Sequence, residues 1–392
     1  MSLSSTCLAI WSRDYSGESK VLYGRPKMAI SLRCGALSNS QSIAVRTIFE
    51  IGFLSIARAI VYWLYRCLRG YPLPLQCLLY GDPCEIRRIC MHAKPYSNIY
   101  IDGIRLFLVA ERLSKLGLRI IVDDHDSLSQ RAKFTLGVGE GITLGFLNES
   151  VPSWIKHSVK WFGRIILRYE YWSLTRTERR LVKFVHRVVL LNHKERICYG
   201  GGSVDPIKLC SIAFPQTLQN EIVHPPNTEW RLIFVGSSEL LQNRLALEFI
   251  GRCLCHAPMV TVYWYGGGDS LPDQPSNLIR MGFVSDLIGS AYVSGSILLC
   301  PVVLDGGIKT KVLEALSYGI PVACSPSAIE GLGWPDYPLT FSELEHWITF
   351  MCNPDIRILD IQSSIRIGRN LIMQIHNPEI VKLQWHSILF DT

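Results

Sequence analysis

The sequence predicts an α/β fold made of two Rossmann-like halves, each built on a parallel sheet. Three observations carry this. Short apolar runs alternate with helix-period segments along the chain, the order that builds parallel sheets. The pattern restarts after residues 214–228, a stretch poor in regular periodicity that holds Pro215, Pro225 and Pro226. At 392 residues the chain suits two domains better than one. The expected boundaries are 1–219 for the first domain, 220–374 for the second, and 375–392 for a last helix that packs back on the first.

Composition narrows the class of partner. Hydrophobic residues make up 48% and charged residues 19%, with a net charge of +7. This suits a soluble chain that touches an anionic or apolar surface. No basic motif with interleaved stacking aromatics is present, so nucleic acid is not an expected partner. The thirteen cysteines are scattered without a CxxC pair and are expected to be reduced thiols. No secretory signal is expected, because Cys7–Trp11 is too short for its apolar core.

In the first half, Leu8–Trp11 reads as a strand. A polar loop containing Gly17 follows, and Met28–Arg33 reads as the next strand. Ile43–Arg69 has helical periodicity and stops at Gly70. Arg46, Glu50, Arg58 and Arg66 interrupt it too often for a membrane span. It reads either as a core helix on its own sheet or as a helix lying in a membrane interface. Asn98–Tyr100, Ile104–Leu116 and Leu118–Val122 give strand, helix, strand. Asp123, Asp124, His125, Asp126 and Ser127 follow at once. Ligands bind at such strand ends. A histidine among carboxylates there is held in one tautomer, and the same cluster also suits a helix cap. Pro152–Arg187 is a long basic helix with Lys156, Lys160, Arg164 and Arg168 at four-residue spacing. Its basic face meets either solvent or an anionic partner such as lipid headgroups or a pyrophosphate. Val188–Asn192 is a further strand, and Gly200–Gly202 a turn.

In the second half, strands Leu232–Val235, Val260–Tyr265, Ile279–Met281 and Ile297–Cys300 each end near glycine: Gly236, Gly266–Gly268, Gly282 and Gly306–Gly307. Asn243–Cys253 is a helix between the first two. The densest signal is Pro301–Leu332. A Gly-Gly turn leads through Lys309 and Lys311 into a short helix carrying Glu314, which Gly319 and Pro321 stop before strand Val322–Cys324. Such a turn offers backbone N–H groups and a helix N-terminus to a phosphate. The lysines add positive charge, and Glu314 can accept hydrogen bonds from sugar or ribose hydroxyls. The reading is a nucleotide-sugar site.

The segments FVGSSELLQN, YGGGD, MGFVSDL and CPVVLDGGIKTKVLEALSYGIPVACSPSAIEGL occur in an order and spacing that resemble the group 1 domain of glycosyltransferase family 4. The first half, with GYPLPLQCLLYGDP, IYIDGIRL and IIVDDHDSLSQR, resembles the matching domain of bacterial polysaccharide-type members. The resemblance implies a GT-B fold, two Rossmann-like domains with parallel sheets facing a central cleft. It implies a retaining, metal-independent hexosyltransferase of polysaccharide biosynthesis, with a nucleotide-sugar as donor substrate and no cofactor. The acceptor would be a glycan or a polyprenyl-diphosphate-linked sugar. The protein would be cytoplasmic and peripheral at the inner membrane face.

Residue by residue, Glu314 matches the family's second glutamate, which binds the ribose hydroxyls. The first falls on Gly306, so Asp305 beside it becomes the candidate for reaching the sugar. Lys309 and Lys311, with Gly306, Gly307, Ile308 and Gly236, would hold the diphosphate. Gly282, Phe283 and Val284 match the stretch whose backbone contacts the base. His125 matches a histidine that contacts the transferred sugar, Arg131 would meet a phosphate, and Gly17 is the acceptor-side candidate. The family's basic residue after the first strand of this domain falls near Gln242 and Asn243 and is not basic here. These departures keep two alternatives open: a non-catalytic GT-B-fold partner subunit and a sugar-nucleotide epimerase.

Overall fold

The computed structural model describes residues 7–12, 41–139, 153–200, 207–210, 229–303 and 307–390. They form two compact units. One runs to Ile212 and takes in the chain from Val381, and the other spans Ala213–Ile380.

The first unit carries a sheet of β1 (Cys7–Trp11), β2 (Gln41–Ala44), β3 (Asn98–Asp102), β4 (Arg119–Asp124), β5 (Arg187–Leu190) and β6 (Ile207–Leu209). The strands are parallel and lie in the order β2-β1-β3-β4-β5-β6. The helices of this part of the chain are α1 (Ile48–Ile51), α2 (Phe53–Leu68), α3 (Leu75–Leu78), α4 (Pro83–Ala93), α5 (Phe107–Ser114), α6 (Leu128–Gly137) and α7 (Ser153–Leu181). β1, β3 and β4 are buried along almost their whole length, as strands covered on both faces must be.

The second unit repeats the plan with β7 (Arg231–Val235), α8 (Leu241–His256), β8 (Val262–Tyr265), β9 (Leu278–Gly282), α9 (Leu287–Ser290), β10 (Ser296–Cys300), α10 (Thr310–Ser317), β11 (Val322–Cys324), α11 (Pro326–Glu330), α12 (Leu344–Cys352) and α13 (Ile358–Ile375). Its sheet is parallel, in the order β11-β10-β7-β8-β9. The last helix, α14 (Pro378–Phe390), packs on the first unit. Trp385 lies edge-on to Tyr100, with ring centroids 5.6 Å apart. Arg187 Nη1 donates to the carbonyls of Ser387 and Ile388 at 3.0 and 2.9 Å. A guanidinium at a helix C-terminus satisfies carbonyls that have no partner within the helix.

One expectation needs correction. Ile43–Arg69 is not one helix. Its head is β2, where Ser42 and Ile43 pair with Ala9 and Ile10 of β1. Thr47 and Glu50 then form a reciprocal capping box that starts α1, and Gly52, at φ 113°, breaks the chain before α2. The long basic helix holds two acidic residues, Glu170 and Glu178. Both are buried in α7. The expected strand Met28–Arg33 and the loop with Gly17 lie outside the described residues.

Candidate functional site

In open α/β sheets, ligands bind beyond the carboxyl ends of the strands, where the strand order reverses. In the first unit this point lies between β1 and β3, and in the second between β7 and β10. A cluster of polar side chains sits at each.

At the β1/β3 switch, Ser12 follows β1 and Asp102 ends β3. Ser12 Oγ donates to Asp102 Oδ2 at 2.8 Å, and Tyr80 OH donates to the Ser12 carbonyl at 2.8 Å. His125, just past β4, brings Nε2 to 3.1 Å from the other Asp102 oxygen. Burial would lift the Asp102 carboxyl, but the hydrogen bond from His125, the imidazole's charge and Ser12 hold it below the usual range. Asp102 is therefore an acceptor, and Nε2 of His125 carries the proton. Nδ1 lies 3.8 Å from Asp123 Oδ1. Asp123 is fixed through Tyr100 OH, which donates to Oδ2 at 2.7 Å. The imidazole is 40% exposed, so a substrate can reach it.

The neighbouring Asp124 behaves differently. Burial pushes it up to about 7, against the hydrogen bond from Tyr199 OH, and Glu178 nearby adds to the rise. Ser127 caps α6 by accepting from Gln130 N. Buried Glu178 accepts from Ser127 Oγ and Ser129 N, each at 3.0 Å, and so reinforces the same helix start. Capping and ring-holding thus coexist in one segment, done by different residues. Arg131, in the first turn of α6, is paired with Asp126 and exposed.

At the β7/β10 switch, glycines pack backbone on backbone. A Cβ at Gly266 would run into the carbonyl oxygen of Gly236, and a Cβ at Gly236 would meet the Asn243 amide at 2.6 Å. Asn243 Nδ2 donates to the Ser237 carbonyl at 3.0 Å, which fixes this loop on α8. Lys311, in the first turn of α10, donates from Nζ to Asn243 Oδ1 at 2.9 Å, and its ammonium lies 4.4 Å from the centre of the Phe234 ring. Both Lys311 and Lys309 are buried. Near Gln242 and Asn243, where the resemblance looks for a basic residue, the structure places the Lys311 ammonium. Gly307 is buried at φ 62°, the left-handed region that glycine tolerates. Glu314 is half-buried and accepts from Tyr292 OH at 3.2 Å.

Gly282 ends β9 and its carbonyl accepts from Gly266 N at 2.8 Å. Phe283 is exposed and Val284 half-buried beside it, and Ile308 is half-buried next to Gly307. The second unit thus brings Gly236, Gly307, Ile308, Lys309, Lys311 and Glu314 to one end of its sheet, with Gly282 on its far side. Asp305, Gly306 and Gly17 lie outside the described residues. Sequence reasoning passed over Asp102, Ser12 and Tyr292, and marked Asn243 only as a place where a basic residue is missing. The one available signal was the acidic residue ending the run IYID, at the same strand level as Asp123.

No protein-family model matches the sequence, and no curated protein matches it significantly. Solved structures do match. The chain is similar to HepE of Anabaena in complex with UDP and glucose, with a TM-score of 0.64 and 12% identity over 99% of this chain and 100% of that one. The fold is GT-B. Two further GT-B neighbours are the sucrose-phosphate synthase of Thermosynechococcus elongatus (TM-score 0.60, 12% identity, 98% of each chain) and the trehalose-6-phosphate synthase OtsA (TM-score 0.59, 10% identity, 98% of this chain and 99% of that one). At such identities the likeness is one of GT-B architecture.

Proposed function

We propose that this chain is a retaining, metal-independent glycosyltransferase that moves a sugar from a nucleotide-sugar to a glycan or polyprenyl-diphosphate-linked acceptor in polysaccharide synthesis. The observation that carries the reading is the cluster at the β7/β10 switch. Buried lysines, closely packed glycine turns and a helix start are gathered at one sheet end, with Glu314 further along that helix. HepE was solved with UDP and with UDP-glucose, and UDP is the probe this suggests.

In this reading the diphosphate accepts hydrogen bonds from the backbone at Gly307 and α10, while Lys309 and Lys311 offset its charge. That stabilisation grows as the bond to the sugar breaks, because negative charge builds on the departing diphosphate. Glu314 accepts from the ribose hydroxyls, and Gly282–Val284 flank the base. Asp305 is the proposed contact to the sugar and Gly306 a proposed contact to the diphosphate. In the first unit taken by itself, the imidazole of His125, held by Asp102, can offer an N–H or a lone pair to a sugar hydroxyl; Arg131 is the proposed phosphate contact and Gly17 the proposed acceptor contact. The leaving phosphate takes the acceptor proton, so no carboxylate pair at glycosidase spacing is needed.

The test is a thermal-shift screen of the full chain against nucleoside diphosphates and their sugars, followed by assay of diphosphate release. A ligand that binds the native state raises its melting temperature. Binding with release supports the reading. Binding without release, with and without acceptor, favours a non-catalytic subunit, and conversion of the sugar nucleotide without acceptor favours an epimerase.

A further inference from the structure

Helix α2 buries Ala59 and packs Tyr62 and Trp63 against the core, yet it carries a second apolar stripe on its outer side. A helix on a protein surface ordinarily buries its apolar stripe and shows polar residues to water. Here Ser55 faces inward and donates to Asp82 at 2.8 Å, and Arg58 donates to the same carboxylate at 2.9 and 2.7 Å. Arg66 is buried and bonds Glu111 at 2.6 and 3.1 Å. The outward stripe is Phe53, Leu54, Val61, Leu64, Tyr65 and Leu68, with Phe53 81% and Leu68 88% exposed.

The apolar stripe continues onto α7. Trp63 and Tyr169 meet edge-on at 6.0 Å, and both donate to the Leu73 carbonyl, at 3.1 and 2.8 Å. On the α7 side, Phe162, Ile165 and Trp172 are exposed.

Among the described residues of α2 and α7, the exposed charge has one sign. Arg69 lies over the Tyr65 ring at 5.0 Å and Arg176 over Trp172 at 4.0 Å, and Arg168 and Arg179 are exposed as well. α2 contains no acidic residue. The only acids of α7 are Glu170 and Glu178, both turned inward. Arginines lying on interfacial aromatics beside an apolar stripe match a layer with phosphate above and acyl chain below. No helix among the described residues is long and apolar enough to cross a membrane.

We infer that the outer face of α2, with the adjoining strip of α7, lies in the headgroup layer of an anionic phospholipid bilayer. Its purpose, presenting a lipid-linked acceptor, rests on the proposed function, whereas its chemistry stands on these residues alone.

The test is co-sedimentation of the full chain with vesicles of phosphatidylcholine alone and of phosphatidylcholine with an equal part of phosphatidylglycerol. Binding is expected to the anionic vesicles and to fall as salt is added. Leu64→Ser with Leu68→Ser is expected to weaken it at least tenfold. Arg168→Gln with Arg176→Gln is expected to weaken it roughly fivefold for each arginine removed. All four side chains point outward, so both variants keep the wild-type melting temperature and UDP-induced shift. Loss of the UDP shift in every protein would count against the proposed function and leave this surface standing. Equal binding to both vesicles, binding to neither, or a solution dimer that the leucine pair dissolves would each overturn the inference.

Discussion

Lys311 Nζ donates to Asn243 Oδ1 at 2.9 Å, from the first turn of one helix to the first turn of another, across the reversal point of the second sheet. A buried ammonium is costly to hold. Replacing Lys311 alone by an apolar side chain lifts that cost and takes one donor from Asn243 Oδ1, two effects that offset each other. Lys311→Met separates a structural from a ligand-directed role. The melting temperature is expected to hold or rise while UDP affinity falls at least tenfold, read by thermal unfolding and by titration of UDP. A variant that unfolds easily yet binds UDP normally would make Lys311 a structural residue.

Asp102 meets the His125 imidazole at 3.1 Å and is itself buried, so it acts through His125. Asp102→Asn keeps its shape and removes the charge that fixes the Nε2 proton. Turnover is expected to drop on the order of a hundredfold with KM changed little. His125→Asn should cost about as much, and the double variant no more than His125→Asn alone. Additive losses would mean that the two residues act separately.

Asp124 gives a pH signature of stability. Its carboxyl sits at about 7 in the folded chain against an ordinary 3.8, because burial disfavours the charged form. Through that window the folded chain keeps a proton that the unfolded chain has lost. Stability conferred below 3.8 is therefore given up as pH rises toward 7. Across this range, Asp124→Asn should gain on the wild type by at most ~4 kcal/mol, measured as the difference in denaturant unfolding at each pH. A difference constant with pH would contradict the assignment.

Much of this was legible in the sequence, for local reasons. The run ending at Asp124 and the glycine turn with its two lysines announce themselves within a few residues, because strand ends and helix starts have short-range chemistry. β2 did not, because it has only four residues and two of them, Ile43 and Ala44, run into a longer helical periodicity. The partners of the site residues were also hidden. Asp102 lies 23 residues before His125, and Asn243 lies 68 before Lys311. Only the folded sheets bring them together. The inward turn of Glu170 and Glu178 is likewise a tertiary fact, invisible in a helix whose composition reads as basic.

Glu170 supplies a stability test of that last point. Its carboxylate accepts from Leu75 N at 2.6 Å and Gln76 N at 3.1 Å, capping α3 from another helix. Glu170→Ala leaves these donors without that partner and is expected to cost ~1–3 kcal/mol in denaturant unfolding. Arg168→Ala, two residues away but exposed, should stay within about 0.5 kcal/mol. Equal effects would mean that Glu170 contributes no more than a surface charge.

In the proposed function, the β7/β10 switch holds a nucleotide-sugar and breaks its sugar–phosphate bond. The direct measurement is nucleoside-diphosphate release from UDP-glucose and other nucleotide-sugars by the full chain, its Lys309→Ala variant and its Glu314→Ala variant. Release by the wild type from at least one donor is expected, with both variants folded and inactive. Near-wild-type release by both variants, or a chain that neither binds nor cleaves any nucleotide-sugar, would contradict it.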